Sequence, residues 1–222
     1  SPAAPPPVPS GGTQRDEVGY AAVWRDPYFR SLAPLGFFCY GGMVAIQTLW
    51  AGPWMVRVAG LTPGQAAAGL FTINLCMLVT FLGWGMAGPR LAARGWTANR
   101  LIARGFPLSF LVMGAIVLAD SPAGAWAWAG FCVTCTFASL AQPAVGMAFP
   151  SALAGRALSA YNLVMFAGIF VVQWGIGLLI DGFRALGLGE VDAFRGAMAA
   201  YLVASIGSWS YFLWARRDNP VA

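Results

Sequence analysis

The side chains with chemical capacity in this chain are five large amides set inside apolar stretches: Gln47, Asn74, Gln142, Asn162 and Gln173. A buried amide both donates and accepts, so it must find partners or face water. Asn162 and Gln173 are eleven residues apart. At about 100° per residue that is about 20° from whole turns, so both face one way, with Phe166 and Phe170 nearby. Cys135, Ser139, Gln142 and Gly146 fall on one helical stripe. Tyr40, Met43, Gln47, Trp50 and Trp54 fall on another. Such mixtures of amides, a phenol and aromatic faces suit a small-molecule cavity. Hydrogen bonding between membrane helices is the other reading of the same amides.

Other chemistry is excluded by composition. There is no His, which removes His-ligated metals and haem and any Ser–His or Cys–His pair. The eight acids are Asp16, Glu17, Asp26, Asp120, Asp181, Glu190, Asp192 and Asp218, all outside or at the rim of the apolar stretches. Clustered ligands for a metal-dependent membrane enzyme are therefore missing. The chain is not expected to be an enzyme, and no cofactor or metal is expected. A channel would carry charged rings or a repeated filter, and neither is visible. Cys132 and Cys135 form a CxxC, yet they and Cys39 and Cys76 all lie in apolar stretches. They read as small packing residues; redox or metal chemistry would need accessible thiolates.

The elements that position these residues are membrane helices. Of 222 residues, 59% are hydrophobic and only 9% charged, too few charges to cover a water-soluble domain. Six apolar runs occupy residues 32–56, 66–87, 101–119, 123–149, 157–180 and 194–214. Each is near or above the roughly 20 residues that a helix needs to cross the hydrocarbon. The expectation is an all-α polytopic membrane protein with six transmembrane helices over residues 25–217. A Pro-rich linker and surface segment (1–24) precedes it and a short tail (218–222) follows. The third and sixth runs hold no large amide, only Ser109, Ser205, Ser208 and Ser210. Those two helices are expected to face lipid, and the other four to surround something polar.

All thirteen basic residues are Arg. Ten fall on one side of the predicted membrane: Arg15, Arg25, Arg30, Arg90, Arg94, Arg100, Arg104, Arg156, Arg216 and Arg217. Arg57, Arg184 and Arg195 fall on the other. The positive-inside bias makes the ten-Arg side, with both termini, cytoplasmic. The net charge of +5 is then an insertion signal, and no nucleic-acid partner is expected.

Small-residue seams, Gly41/Ala45/Thr48/Gly52, Gly69/Cys76/Thr80/Gly83/Ala87 and Gly168/Gly175, read as close-packing surfaces. Gly41-Gly42 and Pro53 in the first run, and Pro143 beside Gln142 in the fourth, are interior helix breakers. Broken helices beside polar groups mark either transporter sites or fixed kinks.

Together these features resemble the C-terminal half of a major facilitator superfamily (MFS) transporter. The stretch Gly85-Met-Ala-Gly-Pro-Arg90-Leu-Ala-Ala-Arg94-Gly95 is similar to that family's cytoplasmic loop motif, without its Asp. Phe149-Pro150, Gly155-Arg156-Ala157, Asn162, Gln173, Gly177 and Asp181 are similar to its tenth-to-eleventh helix region. The resemblance covers about residues 25–217. It implies secondary transport of a small solute by alternating access in a cell membrane, of the bacterial inner-membrane type. The implied partners are a small-molecule substrate, the lipid bilayer and an N-terminal six-helix half, upstream in the same chain or on a partner. A free-standing six-helix subunit that needs a second half is the alternative. Substrate-cavity candidates are Tyr40, Gln47, Trp50, Asn74, Ser139, Gln142, Asn162, Phe166 and Gln173. Gly85, Arg90, Arg94 and Arg156 are candidate cytoplasmic loop or gate residues, or orientation charges alone.

Overall fold

Helix caps, more than apolar runs, set where the elements begin. A computed structural model describes residues 12–119 and 123–217, with side chains from 19 to 216. Residues 1–11, 120–122 and 218–222 lie outside the described residues. The helices are α1 (Gly12–Arg25), α2 (Pro27–Arg57), α3 (Pro63–Ala93), α4 (Ala98–Leu118), α5 (Ala125–Ala148), α6 (Ser151–Ala185) and α7 (Glu190–Arg217).

Asp26 caps α2, its carboxylate accepting from the Phe29 N–H at 2.9 Å, with Pro27 in the first turn. Thr62 and Gln65 form a reciprocal capping box at the start of α3, again followed by Pro. Thr97 caps α4 through the Arg100 N–H. Each cap satisfies donors that the first turn leaves free, so helix can form ahead of the apolar run. Hence α2 starts at Pro27 rather than Leu32, and α3 at Pro63 rather than Ala66. Gly60, Gly95 and Gly187, with φ of 67°, 76° and 90°, follow α2, α3 and α6 and turn the chain in the left-handed region.

The expected breakers act where expected. α2 contains two wide π segments, Gly36–Gly41 and Ile46–Trp50. α5 contains a tight 3₁₀ segment, Thr136–Leu140. Proline lacks an N–H and its ring crowds the carbonyl four residues back. For Pro53 that carbonyl belongs to Leu49, inside the second π segment, and for Pro143 to Ser139, inside the 3₁₀ segment.

Among the described residues five helices, α2 to α6, are long and apolar enough to cross a membrane. The 28-residue α7 packs against α2, α4 and α6, but Ser, Tyr and Trp dilute its apolar run. Helices α2, α3, α5 and α6 touch in a circuit, α2–α3, α3–α5, α5–α6 and α6–α2. α4 and α7 pack outside it, against α5 and against α2 and α6 respectively. Glycine makes the α2–α6 contact close: a Cβ on Gly41 would lie 2.8 Å from the Gly168 carbonyl carbon, and one on Gly168 would collide with the Phe37 carbonyl oxygen.

Two apolar cores fill the bundle. One gathers Trp54, Trp128, Phe131 and Phe194, with Trp54 edge-on to Trp128 at 5.4 Å between centroids. The other gathers Phe29, Phe106, Tyr161 and Phe212. The seams expected from sequence divide accordingly. Gly69 packs on Met55 and Ala125, whereas Gly83 and Gly175 have no neighbour within 4 Å of an added Cβ. α1 lies on the start of α6, where a Cβ on Gly19 would meet Arg156 at 3.0 Å.

Candidate functional site

Every contact in the four-helix circuit carries a side-chain hydrogen bond. Between α2 and α3, Gln47 Nε2 donates to Asn74 Oδ1 at 2.8 Å. Between α6 and α2, Gln173 Nε2 donates to Thr48 Oγ1 at 3.0 Å, and Trp50 Nε1 to the Gln173 carbonyl at 3.0 Å. Between α5 and α6, Gln142 Nε2 donates to Asn162 Oδ1 at 2.8 Å. Between α3 and α5, Trp84 Nε1 donates to Thr136 Oγ1 at 2.9 Å. All five amides expected from sequence are thus engaged, in two amide–amide pairs and one amide–hydroxyl pair.

None of these five amides belongs to either core. Asn74 is exposed, and Gln47, Gln142, Asn162 and Gln173 are half-buried. Backbone bonds steady several partners: Asn74 Nδ2 donates to the Leu70 carbonyl at 2.8 Å and Thr48 Oγ1 to the Val44 carbonyl at 2.7 Å. Beside the amides, α6 exposes Phe166 at 59%, Phe170 at 72% and Trp174 at 70%. The result is a series of polar pairs that tie neighbouring helices, with exposed aromatic rings of α6 alongside. Such a face offers unionised hydrogen-bonding groups and π surface.

Three cavity candidates behave differently. Tyr40 is half-buried and packs between the two cores. Ser139 turns its hydroxyl back to the Thr136 carbonyl at 2.7 Å, inside the 3₁₀ segment. Phe166 joins the exposed stripe but is not part of the hydrogen-bonded row.

Sequence reasoning also missed participants. Thr48 sits next to Gln47 and reads from sequence as part of a packing seam; it is exposed and accepts from Gln173. Its position beside an amide is the signal that points to it. Trp84 and Thr136 carry no comparable signal. The third and sixth helices are more polar inside than expected. Asn99 falls just ahead of the third apolar run, but capping draws it into α4, where it is buried. It accepts from Tyr28 Oη at 3.2 Å through Oδ1, and from Arg216 Nη1 at 3.1 Å through its carbonyl. Ser109, Ser205 and Ser208 are buried too, so α4 and α7 turn their hydroxyls inward while Leu111, Leu118, Val203 and Trp214 point out.

The loop and gate candidates do not form one cluster. Gly85 and Arg90 lie within α3, and only Arg94 reaches its end. Arg90 donates to the Met86 carbonyl of its own helix at 3.0 Å. The turn itself is held by residues not singled out: Arg100 donates to the Gly95 carbonyl at 2.9 Å, and Arg104 stacks over the Trp96 ring at 5.2 Å. Arg156 stands separately, under α1.

No family model and no curated protein matches this chain. Among solved structures it is similar to the crystal structure of a bacterial homolog of the human lysosomal transporter Spinster, in an inward-facing and unoccupied conformation. The TM-score is 0.61 at 16% identity, over 98% of this chain and 52% of that one. The likeness is one of fold. This chain spans about half the length of the structure it matches.

Proposed function

We propose that this chain is the C-terminal six-helix half of an MFS secondary transporter, moving a small solute by alternating access and catalysing no covalent chemistry. The observation that carries the proposal is the MFS-like fold, matched over nearly all of this chain and about half of the other. The face bearing the amide row and the α6 aromatics would meet the second half, upstream in the same chain or on a partner. α7 would be the sixth span, both ends would lie on the Arg-rich cytoplasmic side, and the chain would reside in a cell membrane of the bacterial inner type.

Two halves packed through large apolar faces are bistable, so rocking one against the other exposes a midplane site to each side in turn. This half supplies uncharged contacts: amides near Gln47, Asn74, Gln173, Asn162 and Gln142, and rings from Trp50 and Phe166. Arg90, Arg94 and Arg156 would anchor the cytoplasmic ends of α3 and α6 during that motion.

Cysteine scanning tests this reading. Gln47, Gln142, Asn162 and Gln173 are replaced singly by Cys in the chain freed of its four native cysteines, in sealed vesicles. Labelling by a small polar thiol reagent from one side at a time is the expected result. Inert positions throughout would reduce the amides to ties between helices and overturn the cavity.

A further inference from the structure

A second site lies on the opposite character of surface: a groove of about 530 Å³ where α2 passes between α6 and α7. Its length follows α2 from Arg30 to Phe38, about 12 Å of helix rise. Ala33, Pro34, Phe37 and Phe38 of α2 line it. Val164 of α6, Tyr211 of α7 and Trp24 of α1 complete the lining. The single charge in the lining is the guanidinium of Arg30, which is exposed and has no ion pair or side-chain hydrogen bond among the described residues.

That arrangement selects its occupant. The volume falls in the range of small-molecule sites, roughly 300–1,000 Å³. An apolar slot running along a membrane helix fits an acyl chain. An exposed guanidinium at its end fits a phosphate, its planar fork being well suited to phosphate oxygens. Trp24 and Tyr211, 42% and 36% exposed, are the amphipathic rings favoured at headgroup depth. Arg30 belongs to the ten-Arg side that the positive-inside bias makes cytoplasmic, where anionic lipid concentrates.

We infer that this groove binds an anionic membrane phospholipid, its phosphate on Arg30 and one acyl chain between Phe37, Phe38 and Val164. The inference rests on the chain spanning a bilayer with its Arg-rich side cytoplasmic; it does not depend on the transport reading or on any solute.

Native mass spectrometry of the full chain, released from micelles doped equally with phosphatidylglycerol and phosphatidylcholine, tests it. The wild type should retain phosphatidylglycerol about fivefold over phosphatidylcholine, the factor expected of one basic residue near an anionic lipid. Arg30→Gln should abolish that preference, while Arg90→Gln, on α3, which contributes nothing to the lining, keeps it. Ala33→Trp fills the slot and should lower retention of both lipids. Should that variant fail to fold, a photoreactive side chain at Phe37 gives the second readout, a crosslink to lipid. Equal retention of the two lipids by the wild type would overturn the inference. So would an unchanged preference in Arg30→Gln, or a crosslink from Phe37 to residues 1–11 of the chain itself.

Discussion

Gln142 on α5 hands its amide hydrogen to Asn162 Oδ1 on α6 at 2.8 Å, across the hairpin that Pro150 turns. One donor and one acceptor are satisfied by a single contact at a half-buried site. Interhelical hydrogen bonds of this kind average about 0.6 kcal/mol in membrane proteins. Gln142→Ala and Asn162→Ala should therefore each lower stability modestly. The double variant should lose no more than either single by more than a few tenths of a kcal/mol. Unfolding in mixed micelles measures this, and additive losses would show that the pair is not coupled.

Gly168 offers a sharper contrast. A methyl there collides with the Phe37 carbonyl, so Gly168→Ala forces α2 and α6 apart and should cost about 1–3 kcal/mol. Gly175, seven residues further along α6, has no neighbour within 4 Å of an added Cβ. Gly175→Ala should stay within about 0.5 kcal/mol of the wild type. Melting the two variants side by side checks this, and equal losses would contradict the α2–α6 packing.

The cysteines report the same packing. Cys39, Cys132 and Cys135 are buried, and Cys39 Sγ lies 3.4 Å from Ser208 Oγ between α2 and α7. Cys76 on α3 is half-exposed. Brief treatment of the folded chain with a membrane-permeant maleimide should modify Cys76 first, as read by peptide mass mapping. Rapid modification of Cys132 and Cys135 would mean that the core around Trp128 is open.

How much of this was legible in the sequence depends on the period of the signal. Apolar runs located the helices, because length and hydropathy leave few alternatives in a bilayer. Pro53 and Pro143 marked irregular segments, because a missing N–H acts locally. The amides were legible as a set, since a polar side chain in an apolar run must find a partner. Which partner was not. The Gln47–Asn74 and Gln173–Thr48 pairs depend on the rotation of three helices against one another, and seams such as Gly41 on Gly168 fix that rotation only in three dimensions. Asn99 was missed for another reason: capping by Thr97 extends α4 upstream of its apolar run.

Charge placement supports a final prediction. Asp181 and Asp192 are exposed near the α6–α7 turn. Glu190 is engaged by Arg57 at 3.3 Å, with both side chains about half exposed. Asp26 is a helix cap. The carboxylates whose side chains are described lie at helix caps, helix ends and turns, and proton-coupled movement needs a titratable group in the pathway. Any proton-carrying carboxylate of the proposed transporter should then belong to the other half. Asp181→Asn should leave the pH dependence of uptake and the rate of solute exchange as they are in the wild type. A variant that exchanges solute normally but no longer accumulates it against a pH gradient would place the proton on α6, in this half, and reverse that assignment.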